Sequence, residues 1–194
     1  MNPYEKRSEL KKSKIKKSTL HLLGLHSVEH ISIKMIADHS GVSRATIYKH
    51  FDSKEKLIVT VLNEIIEKSI VESEKILNKQ ASFIEKFNEI TDLKSDVFLF
   101  TLKAGINFLY FQSDLIQDVL SARHQEQLDR MSKKLFDQGR EEGFIHSDLN
   151  NEEIKDFLHV VKAGMNELRK KGDPVMNDIV RLRRLNDLFI RAIS

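Results

Sequence analysis

Residues that interrupt helices are scarce along this chain. Its 194 residues include only two prolines, Pro3 and Pro174, and seven glycines. Leu, Ile, Lys and Glu, which favour helices, are frequent between these positions. The sequence therefore predicts an all-α protein in which helices follow one another through short turns. A chain of this length is sufficient for one or two domains, each with a buried core.

The composition excludes several other classes of protein. Charged residues make up 31% of the chain, and no apolar run approaches the roughly 18 residues that span a bilayer, which excludes a membrane protein. No apolar segment typical of a secretory signal follows the first residues. The absence of cysteine removes disulfides, thiolate metal ligands and cysteine nucleophiles. We therefore expect a cytoplasmic protein.

Charge is distributed unevenly along the sequence. Residues 1–60 carry 12 Lys and Arg against 6 Asp and Glu, whereas residues 61–194 carry 20 against 23. A basic N-terminal part on a mildly acidic body favours contact with a polyanion. A surplus of this size is also common on solvated helices, so charge alone does not identify the partner.

A first helix is predicted at the start of the chain. Asn2-Pro3-Tyr4-Glu5 is typical of a helix start, and a start one turn later at Ser8 also fits the pattern. The residues on its inward face follow helical spacing: Ile15, Thr19, Leu22, Leu23 and His26. Lysines occupy the other faces, and the helix is expected to end near residues 25–27.

Two short helices joined by a glycine turn are predicted next. Ser32 caps the first of them, and Gly41 supplies the left-handed turn that ends it. Its apolar stripe is Ile33, Ile36 and Ala37. Ser43 caps the second helix, which runs over about residues 44–50 and turns Ile47 and Phe51 toward the core. This arrangement is a helix-turn-helix, whose second helix presents an outer face of the size needed for DNA.

Several short elements recur together between Ile33 and Leu57: Ile36-Ala37, Gly41-Val42-Ser43, Tyr48-x-His50-Phe51 and Ser53-Lys54-Glu55-x-Leu57. With these elements the segment, extended back to Ile15, resembles the DNA-binding domain of the tetracycline-repressor (TetR) family. Ser27 and Ile31 depart from the family pattern, which usually has glycine and often threonine at these positions. The resemblance implies an N-terminal three-helix DNA-binding domain over residues 1–56. It also implies a C-terminal helical bundle for effector binding and dimerisation over residues 57–194.

The second helix of the motif carries side chains that suit DNA. Arg44 can bind guanine through two hydrogen bonds, Lys49 can do so more loosely, and Ala45 can contact a thymine methyl. The resemblance implies the same three base-reading residues. Phosphate contacts are expected from side chains that carry a hydroxyl, imidazole or ammonium group: Ser32, Ser43, Thr46, Tyr48, His50 and Lys54. The alternative is that these are exposed polar residues of a surface helix, with Ser43 serving only as a cap.

Further helices are predicted in the rest of the chain. Asp52-x-x-Glu55 is interpreted as a capping box that begins a long helix reaching Leu77. Later helices are expected at residues 82–91, 94–112, 114–121, 124–143, 151–171 and 175–193. Their starts are marked by Asp92, Asp114, Asn150 and Asp173, and two of their ends by Gly143 and Gly172.

Aromatic residues concentrate in the predicted 94–112 helix, which is apolar around most of its circumference. Ordinary core packing explains most of these side chains. An apolar effector pocket is also expected beside the helix, with four candidate lining residues: Phe98, Leu102, Phe108 and Phe111. The resemblance implies a small-molecule effector, and the sequence does not identify it.

The last two predicted helices carry apolar stripes. One stripe consists of Ile154, Phe157, Leu158, Val161, Met165 and Leu168, and the other of Ile179, Leu182, Leu185, Phe189 and Ile193. The resemblance implies that these helices meet those of a second copy in a four-helix interface. The alternative is that both stripes serve only the core within one chain.

The resemblance implies a ligand-responsive transcriptional regulator, most often a repressor, that binds a palindromic operator as a homodimer. The alternative is an architectural or interaction protein whose helix-turn-helix lacks operator specificity and whose core senses nothing. An enzyme is not predicted, and neither is a cofactor. His26 and His30 lie four residues apart, but no further ligand pattern completes a metal site, and the sequence has no glycine-rich phosphate loop.

Overall fold

The fold is built from helices. A computed structural model describes residues 2–105, 122–171 and 179–194. Eight α-helices lie within these ranges: α1 (Pro3–Leu25), α2 (Ile33–Ser40), α3 (Arg44–Phe51), α4 (Lys54–Leu77), α5 (Phe83–Lys103), α6 (Ala122–Glu141), α7 (Asn151–Lys170) and α8 (Ile179–Ile193). A short 3-10 helix, Val28–His30, lies between α1 and α2. The described ranges contain no strand, which confirms the all-α prediction.

Helix α1 begins at the earlier of its two predicted starts because polar groups cap it. The side chain of Asn2 accepts a hydrogen bond from the Glu5 N–H at 2.9 Å, and the Glu5 carboxylate accepts one from the Asn2 N–H at 2.8 Å. The predicted inward face is buried over four of its five residues: Ile15, Thr19, Leu22 and Leu23. His26 is exposed, against prediction, because α1 has already ended and the backbone there is extended.

Helices α2 and α3 have the predicted bounds within one residue. Gly41 ends α2 with a φ of 66°, the left-handed conformation for which glycine was expected. Val42, Ile47 and Phe51 are buried, as the pattern predicts. The two helices therefore form the helix-turn-helix expected from the sequence.

The interpretation of Asp52 and Glu55 as a capping box is wrong. Asp52 follows α3 with a φ of 58°, so its backbone ends that helix instead of starting the next. Ser53 caps α4 instead, since its Oγ accepts a hydrogen bond from the Lys56 N–H at 3.1 Å. The Asp52 carboxylate forms an ion pair with Lys56 Nζ at 2.8 Å.

Helix α5 runs without the break predicted at Asp92. Phe83, Phe87 and Ile90 pack into one core, and α5 continues past them to Lys103. Asp92 is exposed, and the preference of aspartate for helix starts is weak compared with tertiary packing. The predicted helices at 82–91 and 94–112 therefore form one helix over the described residues.

The ends of the later helices match prediction where they are described. Asn150 caps α7, because its side-chain oxygen accepts hydrogen bonds from the N–H groups of Glu152 at 2.9 Å and Glu153 at 3.0 Å. Gly143 follows α6 with a φ of 74°. The predicted helix at 114–121 with its start at Asp114 lies outside the described residues, as do Gly172 and Asp173.

The described chain forms two compact units. The first contains residues 2–68 and 97–105, and the second contains residues 69–96, 122–171 and 179–194. The core of the first unit joins α1 to α4, and its fully buried members include Ile15, Ile36, Ile47, Leu57 and Ala104. Ala104 lies just after α5, so a late part of the sequence contributes to the core around the helix-turn-helix.

The contact of Ala104 with the first unit is made through the backbone. The Val28 N–H donates a hydrogen bond to the Ala104 carbonyl at 2.8 Å. The next residue, Gly105, has a φ of 65°, and a Cβ there would lie 2.6 Å from the Ser27 hydroxyl oxygen. The left-handed conformation favours glycine at this position, and any side chain there would also displace the Ser27 hydroxyl.

The second unit has its own aromatic core. The rings of Phe87 and Phe157 each stack on Phe189, with centroid distances of 5.8 and 5.7 Å. Lys86 is buried beside this core and donates a hydrogen bond from Nζ to the Gln138 side-chain oxygen at 2.8 Å. The buried ammonium therefore has a polar partner, as such groups require.

Candidate nucleic-acid interface

Helix α3 has a buried face and an exposed face. Ile47 is fully buried and Phe51 nearly so, which fixes the helix on the first core. On the opposite face, Arg44, Ala45 and Lys49 are exposed. These are the three predicted base-reading residues, and the fold brings them together on one accessible surface. Their roles in reading bases stay predictions.

Two of the predicted phosphate-binding serines hold helix starts. Ser32 Oγ accepts a hydrogen bond from the Met35 N–H at 3.2 Å, and Ser43 Oγ accepts one from the Thr46 N–H at 3.2 Å. The hydroxyl oxygens of Ser43 and Thr46 are also 2.9 Å apart. Both serines are exposed, so each hydroxyl remains accessible while it caps its helix. A phosphate role for them stays a prediction beside this structural one.

Lys54 has an internal contact that sequence reasoning missed. Its Nζ donates a hydrogen bond to the Val28 carbonyl at 2.7 Å, in a partly buried setting. Since the Val28 N–H bonds to Ala104, this one peptide segment connects the start of α4 to the residue after α5. No local pattern identifies a contact between residues 26 positions apart. The ammonium keeps further donors, and its phosphate role stays a prediction.

Tyr48 and His50 complete the predicted set, on different sides of α3. Tyr48 is half exposed, whereas His50 is partly buried. Burial lowers the pKa of His50, and the charges of Lys12 and Lys49 lower it further, while Glu9 opposes them. The imidazole therefore lies in a region of positive potential.

The candidate effector pocket cannot be placed on the described structure. Phe108 and Phe111 lie outside the described residues, and the side chains of Phe98 and Leu102 lie outside the described part of α5. Within the described ranges, no group of three or more His, Cys, Asp or Glu side chains is arranged to hold a metal ion. Over the same ranges, no helix combines the length and apolar character needed to cross a membrane.

The predicted apolar stripes of α7 and α8 divide between two environments. Ile154, Phe189 and Ile193 are buried in the second core, whereas Phe157, Leu168 and Leu185 are exposed. Three more exposed apolar residues, not included in the predicted stripes, lie on the same helices: Val160, Val180 and Leu188. The side chains of Ile179 and Leu182 lie outside the described part of α8. The core within one chain thus accounts for the buried members of the stripes, and a dimer role for the exposed ones stays a prediction.

The helix-turn-helix region matches a known family of DNA-binding domains. Residues 15–61 match the model of the family described as bacterial regulatory proteins, tetR family. No curated protein matches the chain. The match confirms the resemblance found in the sequence and covers all of α2 and α3.

Solved structures share the fold over nearly the whole chain. A TetR transcription regulator from Haloarcula marismortui is 18% identical, with a TM-score of 0.67, over 94% of this chain and 97% of that one. The fatty acid degradation regulator FadR from Bacillus halodurans is 16% identical, with a TM-score of 0.64, over 98% and 96%. The transcriptional regulator FadR from Bacillus subtilis, solved in complex with stearoyl-CoA, is 17% identical, with a TM-score of 0.63, over 93% and 96%.

Proposed function

We propose that this chain is a ligand-responsive repressor of the tetR family, whose model matches residues 15–61. It binds a palindromic operator as a homodimer and is released or retuned by a small-molecule effector. Residues 1–56 serve DNA binding, and residues 57–194 serve effector binding and dimerisation. The observation that carries the proposal is the exposure of Arg44, Ala45 and Lys49 together on a helix fixed to the core from behind.

The base-reading role follows from the dimensions of helix and groove. The major groove admits one α-helix, and the N-terminal residues of a recognition helix lie nearest the base edges. Arg44 is the first residue of α3, and Lys49 lies one to two turns further on. A guanidinium at this position can form two hydrogen bonds with guanine, which discriminates that base by about 1–3 kcal/mol.

The dimer is supported by the unpartnered apolar face of the second unit. Exposed apolar residues of α7 and α8 include Val160, which is 67% exposed, and Leu188, which is 59% exposed. Large apolar side chains gathered on neighbouring helices are typical of protein interfaces. A two-fold axis beside these helices would pair them with their copies in a four-helix interface.

The effector changes DNA affinity by preferring one arrangement of the dimer. One arrangement of the dimer fits the operator and another does not. A ligand that binds better to the second arrangement shifts the population away from the DNA-bound state. Asn63 of α4 offers a polar handle, because its side-chain oxygen is buried without a hydrogen-bond partner among the described residues. A ligand donor could satisfy this oxygen. Stearoyl-CoA, bound in the FadR of Bacillus subtilis, is a reasonable first probe.

Selection of bound sequences from a randomised duplex pool tests the proposal. Selection at roughly physiological salt suppresses binding through phosphates alone, and a palindrome should be enriched. Arg44→Ala should then reduce discrimination at one base pair of each half-site, by about 5–150-fold. Tyr48→Phe, which keeps the exposed ring of α3, should leave that discrimination unchanged.

Equal affinity for the selected duplex and a scrambled one at matched salt would overturn the repressor proposal. It would favour the architectural or interaction protein instead. Such a protein should lose affinity uniformly and in a salt-dependent manner when its basic residues are replaced.

Effector sensing is tested by a separate measurement. Once the palindrome is known, its affinity for the protein is measured with and without stearoyl-CoA and a panel of small apolar ligands. If one ligand releases the protein from the operator, the result supports effector sensing. Asn63→Leu should then weaken the binding of that ligand. If no ligand of the panel binds the protein and the operator affinity stays unchanged, the protein does not sense ligands of these chemical classes.

A further inference from the structure

A basic cleft lies between the N-terminal turns of α1 and the recognition helix α3. Its volume is about 550 Å³, and its charged and polar lining comes from both helices: Arg7, Lys11 and Lys12 from α1, and Thr46, Lys49 and His50 from α3. The residues from α1 recur at helical spacing and therefore share one side of that helix. All of them precede residue 15, where the match to the family begins. The family match therefore covers the α3 side of the cleft but not the α1 side.

The positive charges of the cleft are only partly neutralised within the protein. Lys12 forms an ion pair with Glu9 at 2.9 Å, and Arg7 donates from Nε to the Pro3 carbonyl at 3.2 Å. In the described part of the chain, Lys11 and Lys49 have no acidic partner. Basic groups that converge without counter-charges attract anions strongly.

His50 reports this positive potential from inside the cleft. After burial, the charges of Lys12 and Lys49 contribute most to lowering its pKa, and Lys11 adds to them. The opposing charge of Glu9 does not reverse the result. A phosphate in the cleft would compensate the same lysines that repel a proton from the imidazole.

We infer that the cleft binds the sugar-phosphate backbone that borders the major groove occupied by α3. The inference rests on the proposed function, since DNA is the partner. A helix in the major groove is flanked by two phosphate backbones, and a basic cleft along one side of α3 faces one of them. The lining of α1, from Tyr4 to Lys12, extends over roughly 12 Å of helix. That length is enough to meet more than one phosphate of a strand, since phosphates follow one another at roughly 3.4 Å along the duplex axis.

The structure keeps the first turns of α1 in place for this contact. The capping box of Asn2 and Glu5 stabilises a helix start that lies twelve residues before Ile15, the first fully buried residue of α1. The exposed Tyr4 lies at the far end of the cleft, where its hydroxyl can donate to a phosphate oxygen. These turns contribute little to the core and extend the basic surface instead.

Salt-dependent binding to a random-sequence duplex tests the inference. We compare the full chain with a double variant, Arg7→Gln and Lys11→Gln, in which both exposed charges are removed. The slope of log affinity against log salt should become shallower by roughly 0.9 for each phosphate that the protein no longer neutralises, so by about 1.8 per protomer. The charge-conserving variant Arg7→Lys and Lys11→Arg should keep the native slope.

A matched control separates a local contact from net charge. Lys6 and Lys17 are exposed, do not line the cleft and lie on the other side of α1 at 3.6 residues per turn. Lys6→Gln with Lys17→Gln removes the same charge and should change the slope much less. Glu9→Gln, which frees Lys12 of the cleft from its ion pair, should tighten binding. Equal slopes for the cleft and control variants, or a native slope in the cleft variant, would overturn the inference.

A failure of the cleft to bind the DNA backbone can be told apart from a failure of the proposed regulatory function. Preference for a palindrome over a scrambled duplex tests the regulator, whereas the salt slope on a random duplex tests the cleft. The cleft variant should lose affinity equally for both duplexes and keep their ratio. Loss of that ratio would place these residues among base readers and contradict a backbone role. Circular dichroism confirms that each variant remains helical.

Discussion

The two units of this protein differ in where they expose large apolar side chains: among the described residues, the first exposes Leu10 and Leu25 of α1, whereas the second exposes six such residues on α7 and α8. In the first, α1 to α4 and Ala104 enclose one core, and the exposed face of α3 is polar and basic. In the second, the core around Phe83 and Phe189 is enclosed as well, but α7 and α8 still expose large apolar side chains. This difference agrees with the proposals that the first unit binds DNA through α3 and that the second dimerises through α7 and α8.

The largest expected effect concerns the core behind the recognition helix. Ile47→Ala should lower the free energy of unfolding by about 2–5 kcal/mol, because it leaves a cavity at a fully buried position. Urea denaturation followed by circular dichroism measures the loss. Val71→Ala removes a half-exposed aliphatic side chain from the second unit and should change stability by less than about 0.5 kcal/mol. Equal costs for both variants would contradict the assigned burial.

The exposed apolar face of the second unit gives the next largest effect. Val160→Glu with Leu188→Glu should raise the dimer dissociation constant by about 30-fold or more, because charges in a desolvated interface cost about 2 kcal/mol or more. Sedimentation velocity at several concentrations measures this constant. Asn88→Glu with Ser147→Glu adds the same charge at exposed polar positions and should leave the dimer intact. A dimer that survives the first pair would remove α7 and α8 from the interface.

Helix caps offer a comparison between the units at a smaller scale. Ser43→Ala in the first unit and Asn150→Ala in the second should each cost about 1 kcal/mol, since each cap accepts hydrogen bonds from N–H groups of its helix. Ser43→Gly should cost only a few tenths. Thermal unfolding of the three variants tests these values. A loss in Ser43→Gly as large as in Ser43→Ala would show that the hydroxyl has a further structural role.

The smallest expected effect is a dependence of the protein's stability on pH, through Asp137 of the second unit. Hydrogen bonds from Lys133, then Arg140, lower the pKa of Asp137 to about 2, from 3.8. A lowered pKa in the folded state means that the contribution is complete above pH 3.8 and is lost as pH falls toward 2. Because the side chain is partly exposed, we expect on the order of 0.2–1 kcal/mol. The difference in stability between the native protein and Asp137→Asn should be present at about pH 6 and shrink below about pH 4.

The sequence predicts local features better than distant ones. The caps at Asn2, Ser32, Ser43 and Asn150 were predictable because each needs only a polar side chain two or three residues before its N–H partner. The break at Asp92 was wrong because continuous packing on one side of α5 outweighs the weak preference of one exposed aspartate. Exposed Val160 and Leu188 were missed because the predicted stripes followed a different set of apolar positions.

The candidate site shows the same division. The exposed face of α3 follows from the period of the buried residues Ile47 and Phe51, so its members were predictable. The bond from Lys54 to Val28 and the cleft between α1 and α3 depend on how separate helices meet, which periodicity does not encode. A signal for the cleft was present in the spacing of Arg7 and Lys11, four residues apart on one side of α1.

The backbone bond between Val28 and Ala104 has a consequence for the modularity of the chain. A fragment cut after residue 68 would keep the whole helix-turn-helix, yet it would lack the carbonyl that accepts the Val28 N–H and the methyl of Ala104 in the core. Gly105, with its φ of 65° and its approach to the Ser27 hydroxyl, would be strained by any side chain. The helix-turn-helix is therefore poorly suited to transplantation as an independent module, and chimaeras should retain residues 97–105 of the same parent.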